Sequence, residues 1–132
     1  MTRAISCKDA VRLKTLTPAF VFGMLALQTM LAESVCPADG LVITSLNDST
    51  HAPTSRHYTG EAWDLRVHAF SSDRLVQRFA ELYQERLGEQ FTILYESPST
   101  ANAHLHVQVK MGHAFRWDHP RAAALSALLA SR

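Results

Sequence analysis

Residues 103–109, Ala-His-Leu-His-Val-Gln-Val, alternate without a break, with Leu105 and Val107 on one side of an extended chain and His104 and His106 on the other. Such a run is a half-buried strand whose polar face carries two imidazoles. Just before it, Ser97–Asn102 has the composition of a turn, and Phe91–Tyr95 is a second apolar strand. If the two pair, they form an antiparallel hairpin. Further back, Ser72–Leu87 reads as an amphipathic helix with the stripe Leu75, Phe79, Leu82 and Tyr83, capped by Ser71 or Ser72 and stopped by Gly88. Ala62–Val67 alternates again, with Trp63, Leu65 and Val67 opposite Ala62, Asp64 and Arg66.

Toward the N-terminus, Asn47–Gly60 is polar and lacks a period, Leu41–Ser45 is a strand, and Pro37-Ala38-Asp39-Gly40 breaks the chain before it. Pro18–Ala32 is apolar and follows Arg3, Lys8, Arg12 and Lys14, the order of a signal peptide or a membrane span. It is shorter than the roughly 20 apolar residues of a span, contains Gln28 and Thr29, and has no clear small-x-small cleavage site. A core helix is the better reading: Thr17 caps it, Pro18 takes the first helical position, and Phe20, Met24, Leu27 and Leu31 recur at helical spacing. Arg121–Ala130, opened by Pro120, is a terminal helix. Helix, strand, strand, helix, strand, strand, helix is the order of an α+β fold with a small antiparallel sheet and flanking helices, a single domain over residues 1–132.

The 132 residues are 47% hydrophobic and 19% charged, which supports a real core and argues against disorder. Thirteen Lys and Arg against twelve Asp and Glu leave a net charge of +1, too little for a general nucleic-acid binder. There is no basic run for an anionic membrane, so neither nucleic acid nor membrane is an expected partner, and a monomer is the expected state. Cys7 and Cys36 form no metal or redox motif and read as reduced.

The chemistry concentrates between His51 and His106. His57 and Asp64 lie seven apart, and Asp64 faces away from the apolar Trp63 and Leu65. A carboxylate in such a strand is costly to bury unpaired. Two His and one carboxylate are a common catalytic zinc set, with the fourth position left to water. The spacing alone does not say which histidines bind. Glu96 ends the strand before His104-Leu105-His106, so hairpin pairing returns it to both imidazoles and makes it the best-placed general base. His68, His113 and His119 have no ligand spacing to this group and read as structural or solvated. Trp63 reads as core, and Trp117 is a candidate for the border of a substrate groove.

Ser55-x-His57-x-x-Gly60-x-Ala62-x-Asp64 resembles the Ser-x-His-x-x-Gly-x-Ala-x-Asp signature of the zinc D-alanyl-D-alanine peptidases. Tyr95-Glu96-Ser97 followed by Ala103–Lys110 is similar to the corresponding segment of the Hedgehog signalling domain, which shares that fold. The resemblance covers roughly residues 41–111, the site-bearing core. It implies one zinc ion held by His57, Asp64 and His106, Glu96 as the base that activates the zinc-bound water, and His104 as a non-ligand histidine beside the metal. Ser55 resembles the motif serine that supports the site, and His51 falls at a histidine near the metal, outside the ligand set. Gly60 would permit a tight turn between the ligands.

The family's usual Ser-Gly-x-Arg segment after the first strand is absent. Thr44-Ser45-Leu46-Asn47-Asp48 stands there, so Arg56 or Arg66 would have to supply the cation, with Arg56 the candidate substrate contact. The expected function is hydrolysis of peptide bonds in peptidoglycan stem peptides, at a bacterial wall or within a virion; the sequence names no compartment. The alternative is a non-catalytic Hedgehog-like zinc module that binds a partner or joins a larger assembly, such as a phage particle.

Overall fold

The computed structural model describes residues 4–9, 11, 17–45 and 60–130. Strands β1 (Ile5–Cys7), β2 (Leu41–Ser45), β3 (Ala62–Arg66), β4 (Phe91–Glu96) and β5 (His104–Val109) form one sheet in the order β1-β2-β3-β5-β4. Helices α1 (Pro18–Met30), α2 (Asp73–Leu87) and α3 (Pro120–Ala130) complete the α+β fold. Among the described residues, no helix is long and apolar enough to cross a membrane.

The sheet is mixed, which corrects the expectation of an antiparallel one. β1 pairs parallel with β2, Ile5 opposite Leu41 and Cys7 opposite Ile43, and the pairing continues through Leu41 N–H to Ala4 O (2.9 Å) and Lys8 N–H to Ile43 O (2.8 Å). Three residues are too few to show a period, and an edge strand is held by backbone hydrogen bonds that no side-chain pattern announces. Parallel neighbours need a crossover, and α1 lies in the chain between them.

The start of α1 follows its sequence. Thr17 Oγ1 accepts from Phe20 N–H (3.1 Å) and donates to Gly60 O (2.9 Å), which ties the helix to the entry of β3. Ser72 caps α2 by accepting from Leu75 N–H (3.2 Å), and Gly88, at φ +81°, ends it with its N–H on Gln84 O. The buried stripe of α2 is Val76, Phe79, Tyr83 and Leu87, rotated from the expected one, with Leu75 and Leu82 only partly buried. The packed face is chosen by its partner: Tyr83 OH donates to Gly23 O in α1 (2.9 Å) and accepts from Trp63 Nε1 in β3 (3.3 Å). Burial pushes the Tyr83 phenol far above its ordinary range.

One side of the sheet carries this core. Trp63, Leu65, Leu105, Val107 and Val109 are buried with Phe22, Leu27 and Phe79. Each large apolar side chain buried this way contributes roughly 1.5–3 kcal/mol. Gly23 leaves room for Trp63: a Cβ there would lie 2.2 Å from the indole ring. Trp117 does not border a groove at the histidines. It stands edge-on to Phe22 and Phe115, on the side of the sheet that carries the helices. Aromatic contacts with Phe22 draw it there. The opposite sheet face, with Asp64, His104 and His106, is free to do chemistry.

Candidate functional site

Register builds the site. β3 and β5 are antiparallel with Asp64 directly opposite His106 and Arg66 opposite His104; β4 and β5 are antiparallel with Glu96 opposite His104 and Leu94 opposite His106. Directly opposed residues project from the same face. Two strand pairings therefore gather a carboxylate from β3, two imidazoles from β5 and a carboxylate from the end of β4. Beside Asp64 the β2–β3 register shifts between Ile43 and Ser45, so that Ser45 lies opposite Asp64. Such irregularities re-aim side chains.

Four atoms close a ring. His106 Nδ1 lies 2.9 Å from Asp64 Oδ1 and 3.8 Å from Glu96 Oε1; His104 Nε2 lies 3.3 Å from Glu96 Oε1 and 4.0 Å from Asp64 Oδ1. Asp64, His104 and His106 are largely enclosed, at 14%, 19% and 12% side-chain exposure, whereas Glu96 is 46% exposed. Glu96 thus sits at the rim and the other three groups behind it.

Hydrogen bonds orient both imidazoles. His104 Nδ1 lies 2.7 Å from the backbone carbonyl of Asn102, which can only accept. Nδ1 therefore carries the proton and Nε2 is aimed at Glu96. The Glu96–His104 contact then needs one further proton, on the carboxyl or on Nε2. The turn that supplies the Asn102 carbonyl is pinned by Thr100, whose Oγ1 donates to Ser97 O (2.6 Å) and accepts from Asn102 N–H (3.2 Å).

His106 is held between Asp64 Oδ1 and Gln108 Oε1, the latter 2.8 Å from Nε2. Burial pushes its imidazole toward the neutral form. The hydrogen bonds to Asp64 and Gln108, with the charges of Asp64 and Glu96, outweigh that and raise its pKa above the ordinary value.

The donor set suits zinc in kind. A tetrahedral site with bonds near 2.0 Å has donor–donor edges of about 3.3 Å. Asp64 Oδ1 and His106 Nδ1, 2.9 Å apart, are close to one such edge. Among the described residues, no three His, Cys, Asp or Glu side chains are set to hold a metal ion together. A three-ligand zinc site at Asp64 and His106 would draw its third ligand from elsewhere in the chain. His57, Ser55, Arg56 and His51 lie outside the described residues. Gly60, at φ +76°, occupies the left-handed region expected for a tight turn before β3.

Sequence reasoning missed the cleft beside this ring. A space of about 300 Å³ is lined by Asp64 and His104 together with Lys8, Arg66, His68 and Asn102. Arg66 shares a face with Asp64 by the two-residue period of β3, a signal present in the alternation of 62–67. Lys8 arrives through the parallel pairing of β1, which left no sequence pattern. His68, read as structural or solvated, is exposed in this cleft. His119 fits its structural reading and pairs with Glu89 at 2.9 Å.

No protein-family model matches the chain, and no curated protein or solved structure shows significant similarity to it.

Proposed function

We propose that this chain is a zinc-dependent peptidase acting on peptidoglycan stem peptides. The observation that carries the reading is the ring of Asp64, His106, Glu96 and His104, two carboxylates and two imidazoles joined by contacts of 2.9–4.0 Å on an otherwise structural sheet. Its support from sequence is the Ser55–Asp64 pattern.

In this reading His57, Asp64 and His106 would hold the metal, and in its absence Asp64 Oδ1 and His106 Nδ1 share a hydrogen bond. Bound zinc acidifies water to a pKa of roughly 7 and polarises a carbonyl. Glu96 Oε1, exposed at the rim, accepts the proton of the attacking water and delivers it to the leaving amine. His104, its Nδ1 proton fixed on Asn102 O, presents Nε2 beside Glu96 and donates from there to developing negative charge. Gln108 fixes the ring plane of His106 from the far side, as outer partners of ligands do.

The test is turnover of purified muropeptides by the zinc-loaded protein, with metal content measured in parallel. Hydrolysis that is lost on chelation and regained with zinc supports the reading. Stoichiometric zinc without any turnover would leave the Hedgehog-like binding module in its place.

A further inference from the structure

The strand order ends on β4, so one side of this strand has no neighbour in the sheet. On such an edge every second residue points its backbone N–H and C=O outward. Two bonds of β5 decide which residues of β4 do so. Val109 N–H donates to Glu61 O, toward β3, and Lys110 N–H donates to Gln90 O, toward β4. The even-numbered residues of β5 therefore face β4, and their partners Thr92, Leu94 and Glu96 face back. Phe91, Ile93 and Tyr95 point outward.

Half of this outward row is closed by α2. Gln84 lays its side-chain amide along it, with Nε2 donating to Phe91 O (2.9 Å) and Oε1 accepting from Ile93 N–H (3.1 Å). A primary amide offers the donor and acceptor of a peptide group, so Gln84 takes the place of an added strand there. Beyond it the row is open. Ile93 O, Tyr95 N–H and Tyr95 O have no hydrogen-bond partner among the described residues. They are held in position, because the Tyr95 hydroxyl donates to Asp73 Oδ1 in α2 (2.7 Å).

Edges are commonly blunted by lysine, proline or a bulge. β4 contains neither residue and pairs with β5 in unbroken register. Leu94, on the polar face between the open groups, is 48% exposed, and Glu96 on the same face is 46% exposed. An added strand would set one residue opposite Leu94 and another, two along, opposite Glu96. The first position suits an apolar side chain and the second a basic one.

We infer that the outer edge of β4 at Ile93–Tyr95 docks an extended L-peptide segment of another protein, which adds a sixth strand with an apolar side chain beside Leu94 and a basic one beside Glu96. Docking here needs no metal and does not depend on the peptidase reading. A second copy of this chain suits the edge less well. Antiparallel pairing of two β4 strands about Tyr95 would set each Glu96 against an apolar Leu94 and place the two Glu96 on diagonal positions, where like charges repel.

The probes are the acetylated, amidated heptapeptide Thr-Thr-Lys-Thr-Leu-Thr-Thr and its reversal, titrated into the full chain and followed by NMR. One of the two should bind better, which gives the direction of the added strand. Exchange of the Tyr95 amide hydrogen should slow on binding, whereas that of Ile93, already bonded to Gln84, should change little. N-methylation walked along the better peptide should weaken binding roughly 2- to 10-fold at residues whose N–H faces β4 and little at those between. Gln84→Ala uncovers Phe91 O and Ile93 N–H and should tighten binding by a similar factor. Leu94→Lys should weaken the leucine peptide and favour one with glutamate in place of leucine, a gain that misfolding cannot produce.

An unchanged Tyr95 amide at millimolar concentrations of both peptides overturns the docking edge. Losses on N-methylation that do not alternate along the peptide also overturn it, because they place the peptide off the strand. A doubled mass in sedimentation of the chain alone, with the Tyr95 amide protected before any peptide is added, gives the edge to a second copy and overturns the foreign partner.

Discussion

Glu96 and His104 touch, yet their proposed roles separate on substitution. Glu96→Gln keeps size and hydrogen bonding but removes the proton acceptor. Hydrolysis should fall by roughly 10²–10⁴ while zinc content and folding are unchanged. Wild-type rates in that variant would place the base elsewhere, with Glu61 the next carboxylate to test. Alanine at His57, Asp64 or His106 should reduce zinc affinity by orders of magnitude, since a three-ligand site has no spare ligand, whereas His104→Ala should keep its metal. Zinc lost only from His104→Ala would reverse the two histidines.

The raised pKa of His106 gives a pH signature in metal-free protein. The unfolded imidazole titrates near 6.5. Because the folded value is higher, the stabilisation from the charged ring is complete below about 6.5 and is lost as pH rises through the folded value. The stability difference between wild type and His106→Gln should therefore shrink from pH 6 toward pH 8, and proton NMR should show this ring titrating above its ordinary value. A ring that titrates at or below 6.5 would refute it. Zinc competes with the same proton, so its affinity should still be rising with pH beyond 6.5.

At the scale of elements, the meeting of α1 with β3 depends on one missing side chain. A Cβ on Gly23 would overlap the Trp63 ring at 2.2 Å, and Trp63 is fully buried. Helix propensity alone favours alanine there by up to about 1 kcal/mol. Overpacking typically costs 1–3 kcal/mol, so Gly23→Ala should be destabilising on balance, read as a lower midpoint in urea. A more stable variant would mean that α1 can shift away from the indole at little cost. Element boundaries were largely legible: the caps at Thr17 and Ser72, the stop at Gly88 and the hairpin of β4 and β5 follow from local rules. The rotation of α2 was not, because Leu75 and Leu82 suit an apolar stripe as well as Val76 and Leu87 do, and only the fit to Trp63 and Gly23 decides between them.

For the molecule as a whole, the proposed metal would join β3, β5 and the segment that carries His57. A ligand that binds only the folded state at one hundred times its Kd adds about 2.7 kcal/mol, which corresponds to several degrees in Tm for a chain of this size. Chelation should lower the melting temperature by that order, and zinc should restore it. An unchanged melting curve after verified metal removal would make the metal incidental to the fold.

The sequence by itself determined strands β2, β3, β4 and β5, the three helices and the polar face that carries the candidate site. Period-2 alternation places His104 and His106 on one side of β5 whatever the rest of the chain does, and Asp64 opposite Trp63 and Leu65 in the same way. Hairpin pairing then brings Glu96 to His104 with a single assumption about register. Tertiary structure alone decided the mixed sheet, the rotated face of α2, the helix-side position of Trp117 and the arrival of Lys8 beside Arg66. These depend on contacts between residues far apart in the chain. Backbone pairing at an edge, and the choice among equally apolar faces, are settled by shape and hydrogen bonding between elements, which leave no periodic trace in either element alone.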